Sequence, residues 1–180
     1  MTYPRIRTLT YSALFLALAL ILPFFTGQIP QIGSMLSPMH LPVMLCGFVC
    51  GGPAGLAVGF IAPLLRCLLF GMPPFLTALA MSFELAGYGL FCGILFRLFA
   101  GRLPSLAAIY AALIPAMVAG RLVWGAAQFV ILGVSGSSFP FSAFLAGAVL
   151  NALPAIVSQL ILVPALVLLL RRSVPSVLKV

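Results

Sequence analysis

The chain consists mainly of long apolar runs, separated by short connections that contain glycine, proline or basic residues. We place six such runs at about 8–26, 41–51, 53–70, 75–97, 105–133 and 141–170. Because the runs are continuously apolar rather than alternating, each favours a helix over a barrel strand. The second run is short for a full crossing, whereas the last two are long enough to tilt or extend past the bilayer. The pattern predicts an all-α membrane protein with six transmembrane helices, in which residues 1–180 form one domain.

The composition agrees with a membrane protein. Hydrophobic residues make up 64% of the chain and charged residues only 6%, whereas a soluble domain carries roughly a quarter charged residues. A soluble enzyme and a disordered chain are therefore excluded. The net charge of +8 does not indicate a nucleic-acid partner, because the basic residues form no single patch or run.

The basic residues predict the orientation. Seven of them lie before the first run, between the fourth and fifth runs, or after the sixth: Arg5, Arg7, Arg97, Arg102, Arg171, Arg172 and Lys179. The connections at 27–40, 71–74 and 134–140 contain no Lys or Arg. Since cytoplasmic loops are enriched in Lys and Arg, both termini are predicted to be cytoplasmic.

The uncommon polar residues of the runs concentrate in the outer half of the third to sixth runs. With the aromatic Trp124 and with His40 in the first outer connection, they form one candidate substrate site: Arg66, Glu84, Arg121, Trp124, Gln128, Asn151 and His40. Charged side chains within a bilayer are costly and are functional candidates for that reason. They predict a pocket that opens to the outside and binds a small polar molecule.

The charges of this site allow two interpretations. Two arginines against one glutamate leave a surplus positive charge, which suits a ligand carboxylate or phosphate. Alternatively, Glu84 pairs with one arginine as an interhelical clamp, while the other arginine extends to the outer interface.

Catalytic and metal-binding motifs are missing. The chain has no phosphate-binding loop, no Asp and a single Glu, so neither ATP hydrolysis nor a carboxylate pair is expected, and no cofactor is predicted. Cys46 and Cys50, with Met39, His40 and Met44 nearby, could suggest copper(I). Packing in an apolar core is the favoured interpretation, and no metal site is predicted.

Small residues recur at four-residue intervals. Gly47, Gly51, Gly55 and Gly59 form one series, and Gly89 and Gly93 repeat the spacing. This interval lets helices approach closely, which predicts tight packing between the second and third runs. In the first run, Ala13 and Ala17 form a similar small-residue face, a candidate for docking a partner helix.

Several segments resemble the substrate-binding S components of energy-coupling-factor (ECF) vitamin transporters. They are Ser37-Pro-Met-His-Leu-Pro-Val43, Cys46-Gly-Phe-Val-Cys-Gly-Gly-Pro53, Phe60-Ile-Ala-Pro-Leu-Leu-Arg66, Gly71-Met-Pro-Pro74, Met81-Ser-Phe-Glu-Leu-Ala-Gly-Tyr-Gly89, Ala119-Gly-Arg-Leu-Val-Trp-Gly125 and Asn151-Ala-Leu-Pro154. The resemblance covers nearly the whole chain. It implies capture of a vitamin or precursor in an outward-facing pocket, with delivery through a transmembrane coupling protein and two cytosolic ATPases in a prokaryotic plasma membrane.

The resemblance also implies that Ala13 and Ala17 dock the coupling protein, and that the connection 27–40 closes over the cargo. Pantothenate fits the surplus positive charge, and Asn151 and Gln128 could meet its amide and hydroxyls. A neutral ring vitamin would instead stack on Trp124, Phe83 and Tyr88. A solitary secondary transporter and a membrane scaffold without transport activity are the alternatives.

Overall fold

A computed structural model describes residues 3–26, 37–134 and 140–173. The helices are α1 (Tyr3–Ile21), α2 (His40–Cys50), α3 (Gly52–Phe70), α4 (Phe75–Phe99), α5 (Ser105–Val134), α6 (Phe141–Leu145) and α7 (Leu153–Ser173). A 3-10 turn, Leu22–Thr26, follows α1, and a π-helical turn, Ala146–Leu150, follows α6.

The helices coincide with the six apolar runs, and the prediction of an all-α membrane protein is confirmed. In the described part of the chain, five helical segments are long and apolar enough to cross a bilayer, and the shorter α2 accounts for the second run. The sixth run is not one continuous helix. It is interrupted at the π-helical turn, where the Asn151 N–H donates to the Ala146 carbonyl over 2.9 Å, and α7 begins with Pro154 in its first turn.

A single residue separates α2 from α3. Gly51 has φ 95° and ψ 168°, a conformation that side-chain-bearing residues rarely adopt. Its N–H donates to the Gly47 carbonyl over 3.0 Å and closes α2, while Pro53 lies in the first turn of α3. The Arg97 guanidinium lies against Gly51, so this corner is at the same end of the bundle as the end of α4.

Helix α4 is the centre of the bundle and packs against α2, α3 and α5. The glycine series allows this packing: a Cβ on Gly55 would lie 2.6 Å from the Gly89 carbonyl oxygen, and one on Gly52 would lie 2.9 Å from that of Leu90. The prediction of tight packing between the second and third runs therefore left out the main partner, α4. The glycines of α2 and α3 face α4, where their lack of a Cβ brings backbones into contact.

His40 lies at the start of the short helix α2 and not in a connection as predicted. Its eleven residues extend about 16 Å, roughly half of the hydrocarbon thickness. His40 is its first residue and only 3% exposed. The prediction that His40 belongs to an outer connection was therefore wrong, because His40 begins α2 and is buried inside the bundle. The rest of the proposed lid, residues 27–36, lies outside the described residues.

Helix α1 lies at the side of the bundle, against α2 and α3. Phe15 and Ala19 face inward and are buried, whereas Ala13 and Ala17 are exposed. The predicted docking face is thus accessible to lipid or to a partner helix, and its role stays a prediction.

Candidate functional site

Glu84 is the centre of a buried polar cluster on α4. One carboxylate oxygen, Oε1, lies 2.8 Å from Arg121 Nη1 on α5 and 3.4 Å from His40 Nε2 on α2. The same oxygen accepts a hydrogen bond of 3.0 Å from the Tyr88 hydroxyl, one turn further along α4. Glu84 is 2% exposed. A buried carboxylate needs such partners, because an unpaired charge in an apolar environment is strongly unfavourable.

The cluster also contains polar atoms without a protein partner. Arg121 Nε and both ring nitrogens of His40 are buried and have no hydrogen-bond partner in the described part of the chain. The 3.4 Å between His40 and Glu84 counts as proximity of two ionisable groups but is too long for a strong hydrogen bond. Leaving buried donors and acceptors unpaired costs about 1–3 kcal/mol for each group. These atoms are therefore candidates for binding a ligand.

Arg66 is not part of this cluster. Its Nη1 donates to the Leu20 carbonyl over 2.7 Å, and its guanidinium carbon lies 4.9 Å from the Phe24 ring centre and 5.5 Å from that of Phe70. The two phenyl rings are themselves in edge-to-face contact. Arg66 thus connects the end of α1 to the end of α3. Of the two arginines that the sequence offered as partners of Glu84, Arg121 forms the ion pair.

The remaining predicted site residues lie on the C-terminal half of α5 and in the sixth run. Trp124, one turn from Arg121, stacks on Phe144 of α6 with ring centres 6.2 Å apart. Gln128 is half-buried and Asn151 is exposed in the turn before α7. Within the described ranges, neither amide is hydrogen-bonded to the Glu84 cluster. Contact of these three residues with a ligand stays a prediction.

Of the aromatic residues that the sequence offered for stacking on a ring vitamin, Tyr88 lies in the Glu84 cluster and Phe83 does not. Tyr88 belongs to the cluster, and its ring centre is 5.3 Å from that of His40. Phe83 is 43% exposed and contacts Phe60 of α3 edge-to-face instead. Tyr88 thus joins the cluster mainly through its hydroxyl, a role that its four-residue spacing from Glu84 would have predicted.

Gln159 was not singled out from the sequence. It lies on the buried face of α7, the helix that packs against α2 and α5. Its side chain is 2% exposed, and neither amide atom has a partner among the described residues. A lone amide within a long apolar run was the feature that could have identified it, since polar groups in such runs need partners.

The four cysteines are all free thiols. Cys46 and Cys50 are free thiols, and Cys46 Sγ lies 4.0 Å from the Ser12 hydroxyl. Over residues 3–26, 37–134 and 140–173, no group of three His, Cys, Asp or Glu side chains has a geometry that could hold a metal ion.

Comparison with protein families identifies this six-run architecture. Residues 7–167 match the family described as ECF transporter, substrate-specific component. The chain belongs to this family. The sequence-based assignment to the S components of ECF transporters is thereby confirmed, and the chain is a multi-pass membrane protein of a transport system. No curated protein and no solved structure matched the chain.

Proposed function

We propose that this S component captures a small polar vitamin or vitamin precursor from outside a prokaryotic cell. The observation that supports the proposal is the Glu84 cluster, in which Arg121 Nε and the two ring nitrogens of His40 are buried without a hydrogen-bond partner among the described residues. A polar cargo that supplied these partners would remove the free-energy cost of leaving them unpaired. A purely structural ion pair between Glu84 and Arg121 would not require beside it a histidine whose ring nitrogens form no hydrogen bond within the described residues.

The proposed site extends from this cluster toward the outside. His40, Glu84 and Arg121 form its floor, and Trp124, Gln128 and Asn151 are proposed as contacts nearer the outer surface. Arg66 is removed from the proposed contacts, because its guanidinium already binds the Leu20 carbonyl and two phenyl rings.

Delivery of the cargo is proposed to depend on other chains. A transmembrane coupling protein and two cytosolic ATPases would supply the energy, in keeping with the family. The exposed small-residue face of Ala13 and Ala17 is the proposed contact with the coupling protein, because small residues allow close helix approach.

Pantothenate is one candidate cargo. Its amide and hydroxyls offer donors and acceptors for His40, Gln128 and Asn151. Its carboxylate is less well matched than the sequence indicated, since one of the two predicted cations, Arg66, is engaged elsewhere.

The direct test is to purify the protein in mild detergent, denature it and identify any released small molecule by mass spectrometry. Binding of the identified compound, or of a vitamin panel, is then followed by melting temperature and by fluorescence of Trp124, the only tryptophan of the chain. Arg121→Gln should weaken binding by about 2–5 kcal/mol, because it removes a buried charged partner.

A matched control for that substitution is Arg97→Gln, which removes a cation at the predicted cytoplasmic end of α4 and should leave binding unchanged. Recovery of lipid alone, with no vitamin raising the melting temperature, would contradict the proposed function. Uptake by liposomes that contain only this chain would favour the solitary transporter instead.

A further inference from the structure

Four helices of the bundle surround a common core. Contacts join α2 to α4, α4 to α5, α5 to α7, and α7 back to α2. Buried apolar side chains from all four helices belong to a single hydrophobic cluster, among them Val43, Leu85, Leu113 and Val163. A side chain that is buried on α7 therefore faces the same core as the buried side chains of α2, α4 and α5.

Gln159 lies on this buried face of α7. Ala155 and Val163, one turn before and one turn after it, are both fully buried, and Gln159 itself is 2% exposed. At the next residue, the Leu160 carbonyl accepts a hydrogen bond of 3.1 Å from the Tyr110 hydroxyl on α5. This bond fixes α7 against α5 beside Gln159, so the glutamine side chain is held within the core.

The Gln159 amide has hydrogen-bonding capacity that the described residues do not use. It offers two N–H donors and a carbonyl acceptor, and neither amide atom has a partner among those residues. Unlike Glu84 and Arg121, an amide cannot be explained by the pairing of opposite charges. An apolar side chain of the same size would fill this position without the cost of a buried, unpaired polar group. The amide is therefore a candidate for contact with a molecule from outside the chain.

The other buried side-chain atoms without a hydrogen-bond partner, within the described residues, belong to His40 and Arg121. These residues lie on α2 and α5, the two helices against which α7 packs. Tyr110 precedes Arg121 by about three turns of α5, so Gln159 lies deeper in the bundle than the Glu84 cluster, nearer the predicted cytoplasmic side. Side chains tilt toward the N-terminus of their helix, and on α7 this tilt directs Gln159 back toward the cluster.

Resting on the proposed function, we infer that Gln159 is a cargo contact and that the site extends inward from the Glu84 cluster to α7. The amide binds a hydroxyl, carbonyl or amide group of the cargo. The cargo then carries hydrogen-bonding groups at two separated positions, one for His40 and Arg121 and one for Gln159. Helix α7 thereby forms a wall of the site, together with α2, α4 and α5.

Gln159→Met tests this contact, because it nearly keeps the size of the side chain and removes the amide. The probes are pantothenate, pyridoxine, thiamine and any compound that copurifies, each with the purified full-length protein. We expect the affinity for the compound that binds to fall at least about fivefold. The melting temperature without cargo should rise by about 2–4 °C, because an unpaired buried amide has been removed.

Val163→Ala is the matched control. Val163 is fully buried one turn from Gln159 on the same face of α7, and its truncation leaves a cavity without removing a polar group. The control should lower the melting temperature and keep the affinity for the same compound within about twofold of the unsubstituted protein.

The outcomes separate the inference from the proposed function. Affinity within about twofold in Gln159→Met would overturn the inference, leaving the amide to a buried water, while supporting cargo capture. Equal losses of affinity in Gln159→Met and Val163→Ala, or a lowered melting temperature of cargo-free Gln159→Met, would assign Gln159 a structural role and overturn it as well. Absence of any released compound, with no probe bound by the unsubstituted protein, would contradict both.

Discussion

Glu84 and Arg66 show two ways in which a buried charge is stabilised within this bundle. Glu84 is balanced by a counter-charge and by the Tyr88 hydroxyl. Arg66 has no carboxylate within the described residues and is stabilised by a backbone carbonyl and by the faces of two phenyl rings. Weakly hydrated and planar, a guanidinium suits both kinds of partner. The two residues therefore have different expected roles.

Replacement of Arg66 should affect stability rather than cargo binding. Arg66→Met removes the hydrogen bond to Leu20 and the ring contacts, and we expect unfolding to become easier by about 1.5–3 kcal/mol. Thermal melting in detergent measures this change, and Arg66→Lys should be less harmful because it can still donate to the carbonyl. A large loss of cargo affinity at an unchanged melting temperature would instead identify Arg66 as a ligand contact.

At the scale of elements, the contact between α3 and α4 determines where the cluster forms. The Gly55 and Gly89 backbones touch, so α4 lies close to α3 with Glu84 turned toward α2 and α5. Larger side chains at these glycines would move α4 and with it the carboxylate. The glycines thus support the site without contacting any cargo.

This packing predicts unequal effects for two glycines on the same helix. A Cβ at Gly89 would overlap the Gly55 backbone, whereas one at Gly87 would have its nearest neighbour at 3.5 Å, an ordinary contact. Gly89→Ala should cost about 1–3 kcal/mol of stability or more through overpacking. Gly87→Ala should be neutral or stabilising by up to about 1 kcal/mol, because alanine favours helix. Similar melting temperatures for both variants would argue against the backbone contact.

The sequence predicted the elements better than their contacts. The boundaries of α3, α4 and α5 lie within about two residues of the apolar runs, because bilayer thickness dictates the length of a spanning helix. The choice between Arg66 and Arg121 as partner of Glu84 depends on helix rotation, which the periodicity of nearly all-apolar helices does not specify. The interruption at Ala146–Leu150 was signalled only by Asn151 and Pro154.

For the whole molecule, the orientation in the membrane follows from the distribution of basic residues and awaits measurement. Single cysteines at Met72, between α3 and α4, and at Gly101, between α4 and α5, test it in a background without Cys46, Cys50, Cys67 and Cys92. Both positions are exposed. We expect a membrane-impermeant maleimide to label Met72→Cys in intact cells, and Gly101→Cys only after permeabilisation. The reverse pattern would place both termini outside.

Burial of the sole acidic side chain determines the charge of the protein surface. With Glu84 enclosed, every charged side chain on the surface is basic, and seven of the nine cations are predicted on the cytoplasmic side. Anionic phospholipid headgroups of the inner leaflet should gather around those helix ends, at about 1 kcal/mol for each basic residue. Copies of the protein should repel one another there, and cytoplasmic surfaces that dock at this end should be acidic.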